Sequence, residues 1–266
     1  MSKVPALSIV FMAISLCLAF LVPIALMIWL RVKKKANFPP FFIGMAVMLV
    51  FALIVERLIH QVVFLTSFGK AIQANIWLYA LYGGLMAGLF EETGRLIAMK
   101  TLLKKYLPND ANALMYGAGH GGIECMVLLG MTMVNNLIYS VMINTGNAAL
   151  LTTGLPEEYL GQVEAVFTQL AETSSWVFLV GMLERLFAIV LQLSLSVLVW
   201  FGVKNRKIGL YFLAILCHLL VDGISVVAAG LDVPTLAIEG IICLLAVAMV
   251  LLAKLVWKKE HRIQMD

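Results

Sequence analysis

Apolar residues run through this chain in long blocks rather than alternating or recurring on one face only. Seven blocks are long enough for the roughly 20 residues that a membrane-spanning helix needs. They lie at about 7–30, 39–66, 74–100, 112–143, 174–203, 208–230 and 235–257. The pattern predicts an all-α polytopic transmembrane bundle of about seven spans, built as one domain over residues 1–266. One loop departs from the block pattern. From Pro156 onward Tyr159, Val163, Val166, Phe167 and Leu170 recur at helical spacing, with Glu157, Glu158, Gln162 and Glu172 largely elsewhere. A short amphipathic helix at about 154–172 fits this, and so does a plain connector.

Composition agrees. Hydrophobic residues make up 62% of the 266, charged residues 13%, and mean hydropathy is +1.00, far from the usual balance of a soluble domain. Charge then sets orientation, because Lys and Arg are retained on the cytoplasmic side. Arg31 to Lys35, Lys100 with Lys104 and Lys105, Lys204 to Lys207, and the tail from Lys254 to Arg262 hold 14 of the 19 basic residues. Seven spans put all four clusters on one side, with the N-terminus outside and the C-terminus inside. The other side carries Lys3 and Lys70, and residues 144–173 contain no Lys or Arg. The pI of about 8.9 therefore belongs to membrane orientation, and no nucleic-acid partner is expected. The first block lacks a basic leader and a small-residue cleavage site, which predicts a retained span. Cys17, Cys125, Cys217 and Cys243 all fall in apolar blocks without a Cys-x-x-Cys pair, as packing residues would.

Against this background eleven ionisable side chains stand out inside the blocks: Glu56, Arg57, Glu91, Glu92, Arg95, His120, Glu124, Glu184, Arg185, His218 and Asp222. Lipid exposure would cost roughly 2.5–3.5 kcal/mol for each charge at a helix centre, so they must face one another or a wet cavity. Glu56–Arg57 and Glu184–Arg185 read as structural intramembrane pairs. Counting 1.5 Å per residue from the cytoplasmic ends places Glu91 and Glu92 about 12–14 Å deep, His120 about 12 Å and His218 about 15 Å. Glu124 and Asp222 follow one turn deeper, and the two Glu–Arg pairs fall near 26 Å by the same count. Asn112, Tyr116, His120 and Glu124 form one stripe at every fourth residue, and His218 and Asp222 are i and i+4, close enough for the carboxylate to orient the imidazole. Gly84 with Gly88, and Gly117 with Gly121, form small-residue stripes that let backbones approach.

Two imidazoles level with a pair of acids suit water activation. A carboxylate serves as general base once burial, a like-charged neighbour and a nearby arginine balance its basicity, and imidazole can hold the water or donate to an oxyanion. No His-Glu-x-x-His occurs. Zinc or another divalent ion held by His120, His218 and Glu124 is the other hydrolytic reading, since these side chains are suitable ligands. Ion-coupled transport uses the same kinds of buried residue. "VERLI" and "LERLF" might suggest an inverted repeat, but both lie about ten residues from the outer end, where inversion would place them at opposite depths. A bis-histidine haem scaffold would need both rings for iron, which the adjacent acids make less natural.

Three motifs carry a family resemblance: "EETGR" (91–95), "YGAGH" (116–120) and "HLLVD" (218–222). In this order, on separate spans, they resemble the Glu-Glu-x-x-x-Arg, Phe-x-x-x-His and His-x-x-x-Asn/Asp motifs of the glutamic intramembrane proteases related to CAAX prenyl endopeptidases and bacteriocin-processing enzymes. The whole chain is similar to the YhfC-type membrane peptidases. The resemblance implies an intramembrane endopeptidase acting on a membrane-associated peptide or protein, in a bacterial cytoplasmic membrane, without a required cofactor if the glutamic chemistry holds. Glu91 would be the general base, with Glu92 as the second acid of the motif, and Arg95 would anchor a glutamate. His120 would position the water, and His218 with Asp222 would stabilise the oxyanion. Arg95 stands one residue closer to the acids than in that motif, which leaves open which glutamate it pairs. Tyr116 replaces Phe, and Glu124 is an additional acid.

Overall fold

The computed structural model describes residues 2–262, and the elements within them are helical, with no strand. Helices α1 (Ala6–Lys34), α2 (Pro39–Phe64), α3 (Ser67–Gln73), α4 (Ile76–Lys100), α5 (Ala111–Asn144), α6 (Glu157–Glu172), α7 (Trp176–Lys204), α8 (Gly209–Gly230) and α9 (Thr235–Arg262) follow in order. Six of these, α1, α2, α5, α7, α8 and α9, are long and apolar enough to cross a membrane. The other block expected to span, α4, is 25 residues long and carries Glu91, Glu92 and Arg95. Two helices widen locally into π-helical turns, Met48–Glu56 in α2 and Met126–Gly130 in α5.

Local chemistry sets the ends. Asn75 caps α4, its Oδ1 accepting from the backbone N–H groups of Trp77 and Leu78 at 3.0 and 3.2 Å, as N-cap residues do. At the C-terminus of α1, Lys35 takes φ 55° and the Ala36 N–H donates back to the Leu30 carbonyl. Arg206 ends α7 in the same way, with Lys207 donating to Gly202. These left-handed closures stop the chain at the basic ends without a glycine.

The chain divides into two compact units. One comprises the residues up to Leu21 and Cys125–Arg185. Polar ties hold it. Asn144 accepts from the Val4 N–H and donates to the Val4 carbonyl at 2.8 and 2.9 Å, Ser8 bonds Ser175, and the Ser15 hydroxyl donates to the Phe178 carbonyl. The amphipathic segment of the 144–173 loop is α6, and its buried face consists of Phe167 and Leu170, while Tyr159 and Val166 are exposed.

The second unit, Val22–Glu124 with the chain from Leu186 onward, contains the buried ionisable residues. Its core includes Trp200, Leu195, Leu198, Phe201, Met99 and Leu103. Between membrane helices packing rather than water exclusion drives association, so small residues mark the contacts. The glycine stripes behave accordingly. A side-chain carbon at Gly84 would fall 2.7 Å from the Leu219 carbonyl oxygen, and one at Gly88 3.0 Å from that of Ile215, so both face α8. At Gly117 and Gly121 the obstructing atoms belong to Leu193 and Gln192 of α7. Gly44 of α2 abuts the Tyr116 carbonyl and His120 N–H of α5, and Gly119 abuts the Phe41 carbonyl. At the basic end Asp110 accepts from Trp200 Nε1, Lys204 Nζ and His261 Nδ1 at 3.0, 2.6 and 2.9 Å, tying α7 and α9 to the start of α5. Of the cysteines, Cys125 is buried, whereas Cys17 is exposed, so the packing expectation does not extend to position 17.

Candidate functional site

Three helices of the second unit meet around the acid pair. Glu91 and Glu92 of α4, His120 of α5 and His218 of α8 are all buried, at 6, 0, 0 and 2% exposure. A charge this deep is tolerable only with partners, and each has them. Glu91 Oε2 lies 3.0 Å from His120 Nε2 and 3.9 Å from His218 Nε2. Glu92 Oε1 lies 2.9 Å from His218 Nδ1, and Arg95 Nη1 donates to both Glu92 oxygens at 3.0 Å. The partition between the adjacent acids is therefore definite. Glu92 is clamped by arginine and orients one imidazole, while Glu91 faces both rings. The i,i+3 step won over i,i+4 for Arg95.

Gln192 of α7, an uncharged residue that sequence reasoning missed, completes the clamp. Its Oε1 accepts from Arg95 Nη2, and its Nε2 donates to Glu91 Oε2 at 2.9 Å and to Glu124 Oε2 at 3.1 Å. Arginine has no acceptor, so the amide oxygen must face it and the amide hydrogens must face the acids. A lone amide among the apolar residues and serines of α7 was the available signal. Tyr116 stacks beside His120 with ring centroids 5.9 Å apart, and the Arg95 guanidinium lies 6.0 Å from its ring centre. Asn112, first in the same stripe, instead holds the loop, bonding Asn37 and the Tyr106 carbonyl.

One expectation gains detail and another needs correction. Asp222 comes near His218, as the i,i+4 spacing implies, but at the second ring nitrogen. Glu92 takes Nδ1, and Asp222 Oδ2 stands 3.5 Å from Nε2, on the side facing Glu91. Glu56 does not pair with Arg57, which is exposed. It accepts from His60 Nε2 at 3.0 Å, and His60 Nδ1 meets the Tyr82 hydroxyl at 2.9 Å. Adjacent helical residues point about 100° apart, whereas i and i+4 share a face, which favours His60. Glu56 also comes within electrostatic reach of Glu91, His218 and Asp222, so it belongs with the inner cluster rather than a separate outer layer. Glu184 and Arg185 do bond each other, at a half-exposed position of the first unit.

Comparison with known proteins now bears on this geometry. The model of the YhfC intramembrane metalloprotease family matches residues 18–243. The chain is 36% identical over 245 residues to the uncharacterized membrane protein YhfC of Bacillus subtilis (strain 168), covering 90% of this chain and 92% of that protein. The chain belongs to the YhfC family. It is an integral membrane protein of a family described as intramembrane metalloproteases. The link to CAAX-type enzymes rests on the three motifs alone. No solved structure matches the chain.

The family description raises a divalent metal. Among the described residues no three or more His, Cys, Asp and Glu side chains are already gathered as a metal cage. Imidazole and carboxylate are nevertheless suitable donors, and they meet here in pairs. Ligands of a tetrahedral zinc ion stand about 3.3 Å apart, given bonds of about 2.0–2.1 Å, and the separations around Glu91 Oε2 and His218 Nε2 are 3.0, 3.5 and 3.9 Å. The carboxylate on His218 Nδ1 is the support that ligand histidines ordinarily have. The Nδ1 of His120 is buried without a hydrogen-bond partner among the described residues.

Proposed function

We propose that this protein is an intramembrane endopeptidase that hydrolyses a peptide bond of a membrane-associated substrate, with α4 as a seventh span, the N-terminus outside and the C-terminus inside. The observation that carries the reading is the single buried carboxylate oxygen of Glu91 facing two imidazoles from two other helices. Water placed between Glu91 Oε2 and His218 Nε2 gives up a proton to Glu91 as its oxygen attacks the substrate carbonyl. His120 Nε2 and Gln192 Nε2 hold the carboxylate in place. His218, held at Nδ1 by Glu92, donates from Nε2 to the oxyanion, a role worth several kcal/mol in a site shielded from water. As the C–N bond breaks, Glu91 returns its proton to the leaving nitrogen. Arg95 and Gln192 do no chemistry. They keep Glu92 and Glu91 apart in function.

A divalent metal is the second form of this reading, favoured by the family description and the donor spacing. His120, His218 and Glu91 would hold it, with Asp222 and Glu124 as further acids, and it would supply Lewis-acid polarisation of the carbonyl and acidification of water.

The test is cleavage of a fluorogenic membrane peptide by purified protein. Glu91→Gln should lower the rate by about 10²–10⁴-fold, the range for a general base, and His218→Ala similarly, with folding retained. Correctly folded variants that cleave at the parental rate would end the proposal. Cation-driven uptake by the parent without hydrolysis would instead favour a carrier. Chelation separates the two forms: activity lost to chelator and restored by zinc requires the metal, and indifference to chelator supports glutamate alone.

A further inference from the structure

The second unit contains a groove that the hydrolytic site does not use. It opens between α1, α5, α7 and α9 with a volume of about 490 Å³, within the range of ligand pockets. Its wall is apolar, from Leu114, Leu193, Val197 and Val250, and two lysines stand in its lining, Lys34 from the end of α1 and Lys254 from α9. Both lysines are exposed, and neither has a carboxylate within ion-pair distance among the described residues. Lys204 and Lys207, at the same end, are by contrast engaged, on Asp110 and Glu260. The one hydroxyl in the groove, Ser194, is spent on its own helix at the Val190 carbonyl. Val250 lies four residues, about 6 Å, deeper along α9 than Lys254, and on α7 Val190 lies about 10 Å beyond Val197, so the apolar wall continues below the lysines.

We propose that this groove is a binding site for an anionic phospholipid, with an acyl chain along the apolar wall and the phosphate between Lys34 and Lys254. The argument is charge complementarity combined with depth. Two ammonium groups without a carboxylate partner, one of them 5.8 Å from the Trp29 ring centre, sit at the mouth of a slot that offers a ligand no polar partner further down. Basic pockets between helices on the cytoplasmic side are suited to anionic head groups, and Lys34 and Lys254 belong to the basic clusters that would face that side. A soluble anion would gain the lysines but leave the slot empty. A neutral lipid would fill the slot but leave the lysines unmatched. Trp257, edge-on to Phe201 with centroids 5.4 Å apart, lines the same mouth, at a position where indole favours the interface.

The experiment is native mass spectrometry of the full-length protein, delipidated in detergent and titrated with phosphatidylglycerol or phosphatidylcholine of matched chains. The parent should retain phosphatidylglycerol in preference to phosphatidylcholine at about one molecule per chain. Lys34→Gln with Lys254→Gln should weaken phosphatidylglycerol by about thirtyfold, since each lysine near an anionic surface contributes roughly fivefold. Lys34→Arg with Lys254→Arg should preserve it. Ser194→Phe, which fills the slot while leaving both lysines, should expel the lipid, and the melting temperature of each variant reports folding. Equal retention of the two lipids, or phosphatidylglycerol binding unchanged in the folded double Gln variant, would overturn the proposal. So would tight binding of inorganic phosphate alone that the lipid cannot displace.

Discussion

Three places in this chain carry glutamate and arginine within one helical turn inside an apolar block, and two of them have become different things. In the second unit, Glu92 and Arg95 are at 0% exposure and locked by partners from two other helices, His218 and Gln192. In the first unit, Glu184 and Arg185 meet as neighbours at a half-exposed position, their side chains 38 and 20% accessible. The lesson is that acid and arginine letters identify a site only when other helices supply the remaining hydrogen bonds. A fully buried ion pair is tolerated for geometry rather than for net stability.

The largest effect on stability should come from breaking the buried side alone. Arg95→Met leaves the Glu92 charge without its guanidinium and should destabilise the folded protein by about 3–5 kcal/mol, read as a lowered thermal midpoint in detergent. A midpoint unchanged from the parent would mean that Glu92 needs no counter-ion. Next comes the backbone seam beside the imidazole. A carbon at Gly119 would lie 1.8 Å from the Phe41 carbonyl oxygen, whereas none obstructs Gly83. Gly119→Ala should therefore cost about 1–3 kcal/mol, while Gly83→Ala should gain up to roughly 1 kcal/mol from helix propensity. Equal effects at the two glycines would show that the seam is not tight. The smaller change belongs to the partly accessible pair. Removing both charges with Glu184→Gln and Arg185→Gln should lower the thermal midpoint less than Arg95→Met does, and a loss as large as that from Arg95→Met would erase the contrast between the two regions.

Much of this was legible because a helix converts spacing into depth. The seven apolar blocks match seven helices within a few residues, and Glu91, Glu92, His120 and His218 meet as their positions along the spans imply. Arg95 was ambiguous because i+3 and i+4 lie on nearly the same face, and only the packing of α7 selects Glu92. Gln192 escaped notice because an uncharged amide raises no alarm in an apolar block, although it bonds three of the charged residues. Glu56 was placed in a separate layer by counting α-helical turns from the cytoplasmic end. The chain through Met48–Glu56 is π-helical, with i to i+5 bonds and a wider turn, so both depth and facing drift from the α-helical count. His60, at i+4, shares a face with Glu56, whereas the adjacent Arg57 does not.

The contact of Gly44 and Gly119 with the opposing main chains of α5 and α2 has a consequence for how this family could diversify. A seam made of backbone on backbone offers no side chains to exchange, so the height of the Tyr116–His120 turn against α2 cannot be retuned by ordinary substitution there. Adaptation to a new substrate would have to come from side chains outside such seams. The α2–α5 pair would act as the fixed jaw of a vice.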